Sequence, residues 1–157
     1  MKIALWTVGK SHDTYVQEGI LLFTKRLSKY FAVEWLIIPV PKNAPSLPEA
    51  EMKQKEGESI LALLKDDDYL VALDERGKSL TSEGLSNLLA LRADSGTKRL
   101  VFLIGGAYGL DSAVLEKAKF QWSLSSLTFP HQLVRLLLAE QLYRACTILR
   151  NEKYHHR

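Results

Sequence analysis

Arg99-Leu100-Val101-Phe102-Leu103-Ile104-Gly105-Gly106-Ala107-Tyr108-Gly109-Leu110 joins a short apolar run to a glycine cluster. An apolar run this short, bounded by turn residues, reads as a strand buried on both faces. Asp111–Ala118 then reads as a short helix. Strand, glycine loop and helix in that order form the unit of a parallel α/β sheet, whose ligands sit at the carboxyl ends of the strands.

The alternation continues in both directions. Toward the N-terminus, Thr81–Ala93 reads as a helix and Tyr69–Leu73 as a buried-type strand followed by a loop, Asp74–Lys78. Pro48 followed by Glu49 and Glu51 is a helix start, and that helix runs to about Lys65. Pro39, Pro41, Pro45 and Pro48 break the chain into a loop after a strand over Val33–Ile38. Asp13–Lys29 is helical, with Val16, Ile20, Phe23 and Leu27 on one face and Lys25 and Arg26 toward solvent. Lys2–Val8 is a strand ending at Gly9. Toward the C-terminus, Phe120–Ser125 is the last strand and His131–Arg150 the last helix. One α/β domain over residues 1–157 is expected, a mostly parallel sheet with helices on both faces. Three strand-end loops then fall in the second half: Asp74–Lys78, Gly105–Gly109 and Ser125–His131.

Composition narrows the function classes. The 157 residues are 46% hydrophobic and 25% charged, as in a globular protein with one core. No stretch is apolar for long enough to cross a bilayer, and the N-terminus reads as a strand rather than a signal peptide. A cytoplasmic protein with no membrane role is expected. The single cysteine, Cys146, excludes an internal disulfide and a cysteine-based metal site. In an apolar helix it reads as a small filler. Asp66-Asp67-Asp68 reads as a solvated cap rather than a metal site. The net charge of +3 permits a nucleic-acid partner without demanding one. The last stretch says more: Arg144, Arg150, Lys153, His155, His156 and Arg157 face a single acid, Glu152, which points to a phosphate-bearing partner.

Gly105-Gly106-x-x-Gly109 invites comparison with the dinucleotide fingerprint, which needs a glycine where Ile104 stands and an acid where Leu124-Ser125-Ser126 lies. Both are missing, which disfavours a nicotinamide-dependent oxidoreductase. Spacing alone leaves the loop open between a ligand cradle and a tight turn. Ser125–His131 is either a connector or a loop whose free backbone groups grip an adenine edge, and Pro130 can start the following helix. In that helix His131 and Arg135 share one face, while Glu140 and Arg144 share another. The second pair reads as a helix ion pair, an interface pair or a phosphate contact, and His131 as a base, an anchor or a cap. Leu133, Val134, Leu136, Leu137, Leu138, Leu142, Ile148 and Leu149 cover most of the helix circumference. A symmetric dimer would supply the second wall for such a helix; a central helix in a monomer is the alternative.

Taken in order, Val8-Gly9-Lys10, Lys55-Glu56-Gly57-Glu58, Leu73-Asp74, Gly77-Lys78, Ile104-Gly105-Gly106, Gly109-Leu110, Leu124-Ser125, Thr128-Phe129-Pro130-His131, Arg135, Glu140-Gln141, Tyr143-Arg144-Ala145 and Tyr154-His155 closely resemble the ribosomal large-subunit methyltransferase H family. That family is a minimal branch of the SPOUT (α/β-knot) methyltransferases. The match runs from end to end and is weakest over Pro41–Glu51. The resemblance implies a C-terminal trefoil knot, a rare exception among protein chains, and a homodimer. It implies S-adenosylmethionine as methyl donor, without a metal, held by Leu73, by Gly105 with Gly106 and Gly109, and by Leu124, Ser125, Ser126, Leu127, Thr128 and Phe129. The implied reaction is methylation of N3 of a pseudouridine in 23S ribosomal RNA, on assembled ribosomes. Tyr154, His155, His131 and Arg135 are the catalytic candidates, the tail pair being favoured. Arg135, Glu140 and Arg144 are candidates for contact with RNA or with the partner subunit. The same chemistry on another RNA and a non-catalytic ribosome-associated RNA-binding protein are the alternatives.

Overall fold

In β1 (Lys2–Val8), Ile3 and Leu5 join one apolar cluster, while Ala4, Trp6 and Val8 join another. The same division recurs in β3 (Tyr69–Ser79), with Val71 opposed to Leu70 and Ala72. It recurs again in β4 (Arg99–Ile104), with Leu100 and Phe102 opposed to Val101 and Leu103. Strands apolar on both faces must be covered on both faces. In the computed structural model, which describes residues 1–156, one cover is α1 (Thr14–Leu27), α3 (Ser82–Asp94) and α5 (His131–Leu149). They contribute Leu27, Leu85, Leu89, Leu138 and Leu142. The other is α2 (Glu49–Leu63) and α4 (Ser112–Lys117), through Ile60 and Val114. Arg157, counted above in the basic tail, lies outside the described residues.

The sheet order is β2-β1-β4-β3-β5, with β2 at Ala32–Ile38 and β5 at Phe120–Ser123. All four pairings are parallel. The expected α/β architecture with helices on both faces is therefore present. Thr7 and Leu73 both pair with Ile104, so the ends of β1 and β4 lie level with the middle of β3.

One expected loop is not a loop. Asp74–Lys78 continues β3, which slips register after Leu73 and pairs again with β5 at Lys78↔Trp122 and Ser79↔Ser123. Gly77 makes this possible. A Cβ there would lie 2.5 Å from the backbone carbonyl carbon and oxygen of Gln121, so only glycine lets the two main chains approach. The solvated Glu75 and Arg76 hide this strand from a hydrophobicity reading. β5 also ends two residues earlier than expected.

α5 packs against α1 and α3. It buries Arg135, Leu138, Ala139, Leu142, Ala145, Cys146 and Thr147. Leu133, Val134, Leu136, Leu137 and Ile148 stay half-buried, and Tyr15 and Leu22 of α1 stay exposed. Burial pushes the Cys146 thiol up to about 12, which fits a packing role rather than a nucleophile. No helix among the described residues is long and apolar enough to cross a membrane.

At the N-terminal ends of β3 and β4, the aspartate run is divided between jobs. Asp67 faces Lys98. Asp68 is buried and accepts from Arg99 Nε at 2.8 Å, from Arg99 Nη2 and from the Lys65 backbone N–H at 2.8 Å. Burial alone would raise its carboxyl. The Arg99 and Lys65 hydrogen bonds outweigh that and hold it below the ordinary value of 3.8. A depressed carboxyl stabilises the fold above its unfolded value, and the effect is lost as pH falls through the folded one. Asp68→Asn should therefore be less stable than the native chain by about 1.5–3 kcal/mol at pH 7, with the gap closing below about pH 4. Urea unfolding across pH checks this; a gap that stays constant to pH 2.5 would contradict it.

Candidate active site

Segments from three neighbouring strands enclose one cleft of about 530 Å³, a volume suited to a nucleoside-sized ligand. β3 contributes Leu73–Arg76, β4 leads into Gly105–Leu110, and β5 leads into Leu124–Phe129, with His131 and Val134 of α5 closing one side. Leu73, Ile104, Leu124, Leu127 and Phe129 give it apolar walls. Main chain forms much of the rest. A Cβ on Gly105 would lie 2.9 Å from the Leu110 side chain and 3.0 Å from the Gly109 carbonyl carbon, and Gly109 sits at φ +84°. The Gly109 N–H donates to the Gly106 carbonyl at 3.1 Å, closing the turn. In the third loop Ser125 Oγ accepts from the Leu127 N–H at 2.9 Å, and Ser123 Oγ donates to the Ser125 carbonyl at 3.1 Å. These short-range bonds shape the loop while leaving Leu127 exposed.

Leu73, Gly105, Gly106, Gly109, Leu124, Ser125, Leu127, Thr128 and Phe129 line this cleft, as does His131; Ser126 belongs to the same loop but does not line it. Asp74 and Tyr108, inside segments the sequence marked, also line it, as do Lys53 and Trp122, which the sequence did not single out. Lys53 carries no motif signal. The Asp74 carboxyl is held low chiefly by its hydrogen bonds with Arg76.

Arg135 does not project toward solvent. It is 1% exposed, and its Nη1 donates to the Lys10 carbonyl at 2.8 Å and lies 3.2 Å from His12 Nδ1. Its Nε has no partner. Among the described residues no carboxylate bonds to it; Asp13 acts on it only as a neighbouring charge. A buried guanidinium left this way fills its surroundings with positive potential. His12 is pushed below 6.5 by burial and then by Arg135. His131 is exposed at the cleft rim but crowded on its inner side, and that desolvation, with Arg135 adding to it, likewise pushes it below 6.5.

Tyr154 and His155 stand elsewhere on the chain and do not line the cleft. Glu140 Oε1 accepts from the Tyr154 hydroxyl at 3.0 Å and from Arg144 Nη2 at 2.5 Å, and its Oε2 accepts from Gln141 Nε2 at 2.8 Å. His155 Nδ1 lies 3.3 Å from Arg144 Nη1, and its Nε2 lies 3.1 Å from Glu83 Oε1. Arg144 also covers the Tyr154 ring at 4.7 Å. Glu140 and Arg144 thus form a half-buried i,i+4 pair that ties the tail to α5 and α3.

One group had no assigned role. Glu56 of α2 is 4% exposed, and its Oε2 has no hydrogen-bond partner. It lies against Gly106, where a Cβ would fall 2.7 and 2.9 Å from its two carboxyl oxygens. Burial pushes its carboxyl above the ordinary value.

Comparison with known proteins bears on this geometry. The family described as "Predicted SPOUT methyltransferase" matches residues 1–155. The chain belongs to the SPOUT methyltransferase family. Proteins named "Ribosomal RNA large subunit methyltransferase H" match along the whole chain. That of Flavobacterium johnsoniae is 49% identical over 156 residues, covering 99% of each chain. That of Cytophaga hutchinsonii is 46% identical over 156 residues, covering 99% of this chain and 100% of its own. Among solved structures, a probable methyltransferase from Bordetella pertussis Tohama I superposes with a TM-score of 0.55 at 14% identity, covering 91% of this chain and 93% of that one. This last likeness concerns the fold alone.

For this SPOUT chain, the electrostatics of Arg135 give a direct expectation. Side-chain NMR titration should place His12 and His131 below 6.5, and Arg135→Gln should move both upward. Ordinary midpoints in the native chain would contradict the burial of the two rings, and midpoints unmoved in Arg135→Gln would contradict the added effect of the guanidinium.

Proposed function

We propose that the chain methylates N3 of a pseudouridine in 23S ribosomal RNA, on assembled ribosomes in the cytoplasm, taking the methyl group from S-adenosylmethionine without a metal. In this reading it acts as a homodimer with a C-terminal trefoil knot. The observation that carries the proposal is the convergence of the β3 bulge and two strand-end loops on one glycine-floored, apolar-walled cleft. The full-length relatives named for ribosomal RNA large-subunit methylation support the substrate class.

The cleft suits the donor. Its 530 Å³ accept a nucleoside, the glycine floor offers main-chain groups at close range, and the Leu124–Phe129 segment presents backbone to an adenine edge. When bound, the donor supplies a methyl group on a positively charged sulfur. The protein's task is then to align donor with acceptor and to manage the N3 proton. His131 faces the cleft and, with its imidazole kept neutral, is the catalytic candidate of this chain that can accept that proton there. The Arg135 guanidinium, buried beside it, favours negative charge developing at N3.

Tyr154 and His155 enter through the partner. The tail of each chain is tied to its own α3 and α5, so the tail that covers a cleft in this reading is the partner subunit's. Glu140 and Arg144 hold that tail in place. The half-buried apolar residues of α5, with Tyr15 and Leu22 of α1, supply the surface on which the two subunits meet. Recognition of a folded RNA loop by so small a domain rests on shape, base stacking and phosphate contacts, so affinity falls as salt rises.

Labelled S-adenosylmethionine, incubated with the protein and ribosomes lacking the modification, should place label at N3 of the pseudouridine. Gly105→Ala should abolish it, as should deletion of residues 151–157. Mixed dimers of these two variants should recover part of the signal, since one intact cleft then meets one intact tail. Label on another RNA would overturn the substrate. Donor binding without label on any RNA would favour a non-catalytic role.

A further inference from the structure

Glu56 is the anomaly that this function leaves unused. A buried carboxyl without a hydrogen-bond partner is costly, and native folds keep few of them. This one belongs to the stripe Glu56, Gly57 and Ile60 that α2 buries. Gly106 lines the cleft with one side and meets the Glu56 carboxyl with the other. Because it has no side chain, a single main-chain residue separates the carboxyl from the cleft. We propose that Glu56 is the specificity-determining counter-charge of the cleft, selecting the cationic sulfonium donor over its neutral thioether product. The inference rests on the donor reading above and adds to it a residue and a charge rule.

The other charged groups of the neighbouring elements leave it without a partner. On α2, Lys53 lines the cleft one turn earlier, and Lys55 and Glu58 flank Glu56 in sequence. On α4, the Asp111 side chain abuts Gly57, but its Oδ2 accepts from the Ala113 N–H at 3.4 Å. On β3, Asp74 is paired with Arg76. On α5, His131 stands at the rim. None of these forms a hydrogen bond or ion pair with Glu56.

The charge rule follows. In the free protein, burial favours the protonated acid. A sulfonium across Gly106 favours the carboxylate, so donor binding releases a proton from Glu56 to solvent. Methyl transfer breaks the sulfur–methyl bond and leaves the sulfur neutral, after which Glu56 takes a proton back from solvent. Donor and product share the same amino and carboxylate groups, so these cancel in the ratio of their affinities. That ratio should rise with pH through the Glu56 titration, above the ordinary carboxyl value of 4.5. A neutral thioether loses the attraction, which speeds its exchange for fresh donor.

The test is calorimetric and needs no turnover. S-adenosylmethionine and S-adenosylhomocysteine are titrated into the dimer from pH 5 to 8, in two buffers of different ionisation heat. The native protein should show a product-to-donor Kd ratio that climbs about tenfold, equivalent to one unit of coupled titration, with proton release on donor binding exceeding that on product binding. In Glu56→Gln the ratio should be low and flat, with product affinity kept. A slope that survives in Glu56→Gln would overturn the proposal and move the charge sensing to His131. Equal weakening of both ligands would overturn it too, leaving Glu56 as a prop for the glycine loop. If Glu56→Gln does not fold, the native protein still decides: equal proton release on donor and product rejects the proposal. If neither ligand binds, the donor reading fails with it.

Discussion

Three strands, β1, β4 and β3, run parallel through the middle of the sheet and bury both of their faces. Neither face can carry chemistry, because each is sealed by helices, so polar function is pushed to the strand ends. The register then fixes where. Ile104 pairs with both Thr7 and Leu73, which sets the ends of β1 and β4 level with the point where β3 slips register. The turn after β1, the bulge in β3 and the glycine loop after β4 are therefore neighbours. The cleft, the buried Arg135 beneath the β1 turn and the Glu56 carboxyl beneath the glycine loop all follow from that alignment.

Glycine does a different job at each place where the main chain is crowded. Gly77 lets β3 and β5 touch, which brings the Leu124–Phe129 loop alongside Leu73. Gly105 keeps the turn to Leu110 tight. Gly106 admits a carboxyl on its inner side. Charge is treated in two ways. Asp68 and Arg99 neutralise each other at the N-terminal ends of β3 and β4. Arg135 and Glu56, near the cleft, are each buried without an opposite partner. A buried ionisable group without a partner is expensive to keep, and such groups collect where a ligand is to be bound and a proton moved.

Most of the architecture was legible in the sequence because the signals were local. Short apolar runs marked β1, β3 and β4, helical spacing marked α1, and prolines at residues 48 and 130 marked the starts of α2 and α5. The donor loops were legible because they are contiguous segments. What stayed hidden depends on contacts distant in sequence. The strand character of residues 74–78 required β5 beside it. Arg135 was a candidate for catalysis or for contact with RNA or the partner subunit, because four-residue spacing fixes a helix face but not what that face meets, here the carbonyl of Lys10. Glu56 stood inside a recognised motif, yet an acid between a lysine and a glycine reads as solvated until the fold places Gly106 above it. The tail contacts linking Tyr154 and His155 to Glu140 and Glu83 join segments far apart in the chain.

The central claim is that the β3 bulge and the loops after β4 and β5 form one ligand site. A crystal structure with S-adenosylhomocysteine bound tests it most directly. The ligand should lie between Leu73, the Gly105–Gly109 turn and Leu124–Phe129, with its adenine edge on the main chain of the third loop. A ligand in a second cavity, lined by Arg26, Lys29, Tyr30, Tyr143, Arg150 and Glu152, would contradict the account.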